Sequence, residues 1–456
     1  MQRANTYNLS QKGVAMKTSM LFLLAALGIG QLRCQPAVPG GISFRGHLNC
    51  PAVSTDGGHL FLRLCVTGHH QREESRRPVN LCVVLDRSGS MSEESKISYA
   101  KAALLALVDQ LRPDDLFSLV IYDDEVDVLR RAARVGDDKA QIRCLIDEIR
   151  PRGWTNLGGG MEEGFHQAEM NLGREYVNRV ILLSDGLANQ GITDPELLER
   201  IASRHRGKSI SLSTIGVGLD YNENLMVGLS EHGGGNYYFL ESCRNLASVF
   251  RKEFDHLSDV MAQNAVVRII PGRGVRLIDV IGYDFRTEGG TTEISLGDIY
   301  GDEERDIIVE LEVPAGRGSM ALAEAQLVCP GGAKETLVGS LASNVDYVSD
   351  KAVAERRTDL AEQAKIDVAV STRNVEKAME ALDKGDRDAA SQTLISAGAT
   401  LLNSRAASQP GASRAAVQAQ AERIQEYMKV LKDEPSDARR AKKAIQYDNY
   451  RQQKNR

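Results

Sequence analysis

Five oxygen-bearing side chains have the types and settings to share one cation: Asp86, Ser88, Ser90, Thr155 and Asp185. The first three stand in Asp86-Arg-Ser-Gly-Ser90, where an apolar run, Leu81 to Leu85, stops at a carboxylate and two hydroxyls follow at alternate positions. Asp185 ends a second such run, Arg179-Val-Ile-Leu-Leu-Ser184, and Thr155 lies in a Gly-rich loop, Gly153-Trp-Thr-Asn-Leu-Gly-Gly-Gly160. Carboxylates and hydroxyls are hard donors that suit Mg²⁺, Ca²⁺ or Mn²⁺ and suit zinc poorly. Octahedral coordination needs six ligands, so this set leaves at least one position for water or for a partner's oxygen. Singly, each residue has a blander use, because Ser and Thr cap helices and Asp follows strands in turns. Five coincidences in this order favour the metal, with a cation that merely ties the loops together as the competing use.

The positions follow from the elements around them. Both apolar runs suit strands buried on both faces, and parallel strands deliver their carboxyl ends to one edge of a sheet, where open α/β folds keep their ligands. Gly89 is expected to let the backbone turn so that both hydroxyls reach the Asp86 side, and Gly158 to Gly160 to let the Thr155 loop approach the metal. From Val79 onward the chain alternates strand and helix. Helical spacing covers Lys96 to Leu111, Lys139 to Ile149 and the segment through Asn171. Strands are expected at Phe117–Tyr122, Ser209–Val217 and Tyr237–Leu240, with Val126 to Leu129 as a hairpin partner. Asp194-Pro195 reads as an N-cap with Pro at the first helical position. This alternation predicts a mostly parallel sheet with helices on both faces.

At this point the residues match a family. Asp86-Arg-Ser-Gly-Ser90, Thr155-Asn-Leu with the following glycines, and Ser184-Asp185-Gly186 resemble, in order, the metal-ion-dependent adhesion site of von Willebrand factor type A domains. The resemblance covers about Val79 to Leu257. It implies a doubly wound, Rossmann-like α/β domain whose divalent cation, usually Mg²⁺, grips an acidic side chain of a protein partner. It also implies that Ser88 and Ser90 bind the metal directly, that Thr155 does so in the engaged form, and that Asp86 and Asp185 bind directly or through water. The layout is similar to exported bacterial members of this superfamily, to inter-α-trypsin inhibitor heavy chains and to calcium-activated chloride channel regulators.

The flanking segments differ in character. Short β-rich runs punctuated by Pro and Gly fill Val260 to Val348, and the strands between Ile42 and Gly68 look alike, so the α/β domain is expected to be inserted in a β-sandwich. Lys351 onward reads as helical, with Gly385 breaking a hairpin. The expected organisation is a signal region (1–34), N-terminal sandwich strands (35–78), the α/β domain (79–257), the sandwich (258–348), a helical region (349–432) and a basic, solvated tail (433–456). Lys17 followed by the apolar Met20–Ile29 fits a secretory signal, too short to span a bilayer, with Met16 as the expected start. Arg33 argues against lipidation at Cys34. The six remaining cysteines permit disulfides without assigning them, and Cys82, within the apolar strand, reads as a small buried hydrophobe.

The chain has 456 residues, a net charge of −6 and 5% aromatic residues, which argues against nucleic-acid binding. No His-Glu-x-x-His, nucleophile elbow or assignable acid–base pair is present. The function expected is therefore that of a non-enzymatic, exported adhesion or binding protein whose cation takes a partner's Asp or Glu. A metal-dependent hydrolase and an envelope assembly factor with a structural metal are the alternatives. Arg87 beside the site is expected to be solvated.

Overall fold

The computed structural model describes residues 41–69, 76–173, 175–330, 335–408, 410–431 and 435–454. The expected signal segment and Cys34 lie outside them. Among the described residues no helix is long and apolar enough to cross a membrane.

The chain opens with three strands, β1 (Ile42–Leu48), β2 (Ala52–Ser54) and β3 (Gly58–Gly68). It then enters the α/β unit: β4 (Val79–Asp86), α1 (Lys96–Gln110), β5 (Leu116–Tyr122), β6 (Val126–Arg134), α2 (Lys139–Glu148), α3 (Leu157–Met170), β7 (Val177–Ser184), α4 (Pro195–Arg206), β8 (Ile210–Val217), α5 (Glu223–Gly233), β9 (Gly234–Leu240) and α6 (Leu246–Ser258). Its sheet runs β6-β5-β4-β7-β8-β9, with every neighbouring pair parallel except the β5–β6 hairpin. The central strands β4 and β7 are buried along their whole length, as their unbroken apolar character requires. One face packs on α1, α2 and α6, the other on α3, α4 and α5, giving two separate apolar layers.

Strands resume with β10 (Val260–Pro271), β11 (Arg276–Ile281), β12 (Phe285–Glu288), β13 (Thr291–Tyr300), β14 (Glu304–Val313), β15 (Ser319–Pro330) and β16 (Glu335–Val348). They form two sheets, β1-β3-β14-β11 and β12-β13-β10-β15-β16-β2. The strands before and after the α/β unit thus share a sandwich core, and the α/β unit is inserted in it. β12 and β16 went unforeseen. β12 is exposed throughout, and in β16 Gly339, Ser340, Ser343 and Asn344 interrupt the apolar residues, so neither shows an apolar run.

The C-terminal part contains α7 (Lys351–Arg356), α8 (Leu360–Asp383), α9 (Arg387–Leu402), α10 (Ala412–Val430) and α11 (Pro435–Lys454). Gly385 breaks α8 from α9 with φ +79°, whereas Asp359 caps α8 and ends what reads in sequence as one long helix. The expected solvated tail is overturned. Helix α11 packs Tyr447 and Tyr450 edge-on against Tyr237 of β9, with ring centroids 5.7 and 5.6 Å away. The Tyr450 hydroxyl accepts the Tyr237 backbone N–H at 3.2 Å, so α11 satisfies part of an otherwise open sheet edge. The buried Lys443 donates to the Tyr221 carbonyl at 2.7 Å and to Glu223 at 2.5 Å. Basic residues read as solvated because only distant segments supply their partners.

The six described cysteines are unpaired, and Cys82 is fully buried as expected.

Candidate metal centre at the carboxyl edge of the sheet

Asp86 is the last residue of β4, and Asp185 immediately follows β7, its parallel neighbour, so both carboxylates emerge at one edge. The Ser88 N–H donates to Asp86 Oδ1 at 2.8 Å, folding the loop back over the strand end. The two serine hydroxyls lie 3.1 Å apart, and Ser90 donates to Asp185 Oδ1 at 2.8 Å. Thr155 belongs to the same cluster: a Cβ built on Gly186 would lie 3.4 Å from its hydroxyl and 3.8 Å from that of Ser90. The structure therefore brings all five residues together. Both Asp residues are fully buried, Ser88 and Thr155 are nearly so, and Ser90 is half-buried.

The loops are tied by backbone. Gly89 N–H donates to the Gly153 carbonyl at 3.1 Å, Arg152 N–H to the Arg87 carbonyl at 2.8 Å, and Asn189 N–H to the Thr155 carbonyl at 3.1 Å. The Asn189 side chain accepts the Thr155 N–H at 2.9 Å. Two glycine expectations are corrected here. Gly89 has no left-handed φ, and a Cβ there would meet only the Gly153 oxygen at 3.5 Å; the left-handed residues of this loop are Glu94 and Ser95. Gly158 and Gly160 lie in the first turn of α3 and serve packing. A Cβ on Gly160 would come within 2.6 Å of the Tyr122 ring, and one on Gly158 within 2.8 Å of the Ile192 carbonyl. They let α3 lie close to its neighbours, and Asn156 caps that helix by accepting the Gly159 N–H.

The electrostatics favour a cation. Burial, then the nearby Asp185 charge, pushes the Asp86 carboxyl up to about 6, outweighing the hydrogen bonds of Ser88 and Ser184. Two buried carboxylates share one cationic partner, the buried Lys96, whose ammonium meets Asp185 Oδ2 at 2.7 Å. Asp86 Oδ2 has only neutral donors, Ser184 at 2.8 Å and the Tyr122 hydroxyl at 3.3 Å. An all-oxygen cluster short of positive charge fits a hard divalent ion.

Lys96, Ser184 and Tyr122 were missed in the sequence. Lys96 carried a signal: it is the first residue of α1, where the helix dipole opposes a cation, so a local carboxylate had to hold it. Arg87 is also corrected. It is buried and paired with Asp123 at 2.7 Å and Asp127 at 2.5 Å, not solvated. Two exposed apolar residues stand in the same loops, Trp154, the only tryptophan, at 64% and Leu187 at 56%, beside the exposed polar Glu93, Glu94 and Arg152.

A doubly wound sheet with this cluster at its carboxyl edge defines a von Willebrand factor type A domain, and the model of that family matches residues 80–252. This inserted part of the chain is a von Willebrand factor type A domain. The chain is 30% identical to YfbK of Escherichia coli over 209 residues, 46% of this chain and 36% of that protein. It is also 30% identical to the rat inter-alpha-trypsin inhibitor heavy chain H3 over 183 residues, 37% of this chain and 20% of the other. The chain therefore spans about a third and a fifth of the lengths of these relatives. Among solved structures, a von Willebrand factor type A protein from Catenulispora acidiphila superposes with a TM-score of 0.69 over 93% of this chain and 99% of that one. At 16% identity that likeness is one of fold.

Proposed function

We propose that the carboxyl-edge cluster holds a divalent cation, with Mg²⁺ the expected ion, and that the cation binds an Asp or Glu side chain of an extracytoplasmic protein partner. The carrying observation is the charge shortage: Asp86 and Asp185 are both buried, and Lys96 meets only one of them. Ser88, Ser90 and Thr155 would complete the oxygen set with the two carboxylates, and a partner's carboxylate would add the remaining ligand and negative charge. Trp154 and Leu187 flank the cluster in sequence and offer apolar contacts that distinguish one acidic partner from another. No step of bond making or breaking is assigned to these residues.

The test is capture of partners from envelope extracts in Mg²⁺, in chelator, and with Asp86→Ala. Partners held by the wild-type chain in Mg²⁺ should be lost in both other arms. Mg²⁺ should also raise the melting temperature of the wild-type chain but not of Asp86→Ala. Capture that survives saturating chelator would overturn the reading.

A further inference from the structure

Lys96 is the one charged side chain touching the metal centre that the five-residue donor set does not include, and its placement runs against local physics. It is the first residue of α1, where the helix dipole disfavours a cation. The two residues before it, Glu94 and Ser95, are both left-handed, at φ +47° and +59°, a strained conformation for any residue but glycine. Its side chain is buried, and a Cβ built on Gly218, just after β8, would lie 3.7 Å from its Nζ. The ammonium is thus enclosed between the Asp185 carboxylate and the β8–α5 turn. Strain of this kind persists where the surrounding structure imposes it, and such positions cluster at functional sites.

The two oxygens of Asp185 face different partners. Oδ1 accepts from the Ser90 hydroxyl at 2.8 Å, inside the donor cluster, and Oδ2 accepts from Lys96 at 2.7 Å. A cation held at the hydroxyls therefore does not require the ammonium to leave. Ser88, Ser90, Ser184 and Tyr122, which also hydrogen-bond the two carboxylates, are neutral. The neighbouring Arg87 is taken by Asp123 and Asp127. Glu93 and Asp220, whose charges also act on Lys96, are exposed and screened by water.

The buried inventory is two carboxylates and one ammonium, which leaves a single negative charge. A divalent cation turns that into a single positive charge, and an uncompensated charge in a buried setting is unfavourable. One carboxylate from outside restores neutrality. Without the ammonium, the cation alone would neutralise the cluster and have less pull on an anion. We infer that Lys96 is the residue that makes this centre demand an acidic partner: it leaves the cation-bearing cluster one positive charge in excess, so that cation and carboxylate each strengthen the binding of the other. Lys96 acts through its charge and through Asp185, as a positioning residue and not as a ligand. The inference rests on the cation reading proposed above and names the residue that couples its two ligands.

Calorimetric titration of the full chain with Mg²⁺ tests this, with acetate as the carboxylate probe and chloride at equal ionic strength as the reference. In the wild type, acetate should tighten Mg²⁺ binding at least threefold. Lys96→Gln retains an N–H donor without the charge, and Lys96→Met removes both. In chloride, both variants should bind Mg²⁺ at least tenfold more tightly than the wild type, and acetate should shift their affinity less than twofold. The sign is diagnostic, because loss of a residue that merely held Asp185 in place would weaken Mg²⁺ binding. The acetate arm of the wild type needs no variant, so it stands if either substitution fails to fold. Wild-type Mg²⁺ binding that acetate leaves unchanged would overturn the proposal and leave the cation reading intact. So would folded variants that bind Mg²⁺ no more tightly than the wild type. A wild-type chain that binds no Mg²⁺ would instead overturn the cation reading, and this proposal with it.

Discussion

Strand β7 carries two buried charge clusters, one near each end, with the same inventory and opposite outcomes. At its carboxyl end, Asp185 and Asp86 have one nearby cation, Lys96, which meets Asp185. Near its amino end, Arg179 faces Glu253 of α6 and Asp298 of β13, again two carboxylates and one cation. There the guanidinium bridges both, Nη1 to Glu253 at 2.5 Å and Nη2 to Asp298 at 2.9 Å. Ser213 and Ser211 add to the oxygens that Arg179 holds, and the other two carboxylate oxygens are served by Asn236 and Tyr238 on Glu253 and by the Asn264 N–H on Asp298. Burial raises the Glu253 carboxyl, yet the charges of Arg179 and His256, with the hydrogen bonds of Ser213 and Asn236, outweigh it and hold Glu253 below the usual glutamate range. Asp86 moves the other way: burial and then the Asp185 charge raise it, and Lys96, a point charge, touches only Asp185. A planar two-handed cation closes a cluster, and a one-handed cation leaves it open for a second positive charge. The closed cluster joins the inserted domain to the sandwich, and the open one faces the rim.

Breaking the closed cluster should have the larger effect. Arg179→Met leaves two carboxylates buried without the guanidinium that bridges them, and urea denaturation should show a loss of about 4 kcal/mol that Mg²⁺ does not restore. Lys96→Met does the same to the open cluster. In chelator it should cost about 3 kcal/mol, and saturating Mg²⁺ should recover most of that loss. Equal Mg²⁺ rescue of both variants would erase the distinction between the two clusters. The smallest effect lies in acid. Because the folded-state value of Glu253 is depressed, its contribution is present above the unfolded glutamate value of about 4.3 and is lost as pH falls through the lower folded value. Melting temperature followed below pH 5 should therefore fall less steeply in Glu253→Gln than in the wild type.

The five residues of the candidate site were legible because their types and order carry the chemistry, and because apolar runs of strand length place their ends on one edge. The inserted arrangement was legible too, from the likeness of the strands on either side. The pairings that complete the clusters were not. Lys96 and Arg179 each sit in a local context that disfavours a charge, a helix N-terminus and a buried strand, and those contexts were the available signals. Their partners lie on elements remote in sequence, so no local periodicity names them. The same holds for α11: two tyrosines three residues apart in a basic segment hinted at a buried stripe, but the strand they cover is β9, separated from them by the whole second half of the chain.

The insertion also bears on how the chain reaches this state. Strand β3 is made early, but its partner β14 comes more than half the chain length later, with Cys65 opposite Asp306. A closure of that span is entropically dear and slow unless something shortens it. The inserted domain does so once folded, because its two ends are brought together: Asp302, just beyond β13, donates its N–H to the Gly68 carbonyl, and Val260 pairs with Tyr300. During synthesis β3 can pair with β1, but its other edge must wait for a domain that acts as the staple of its own host.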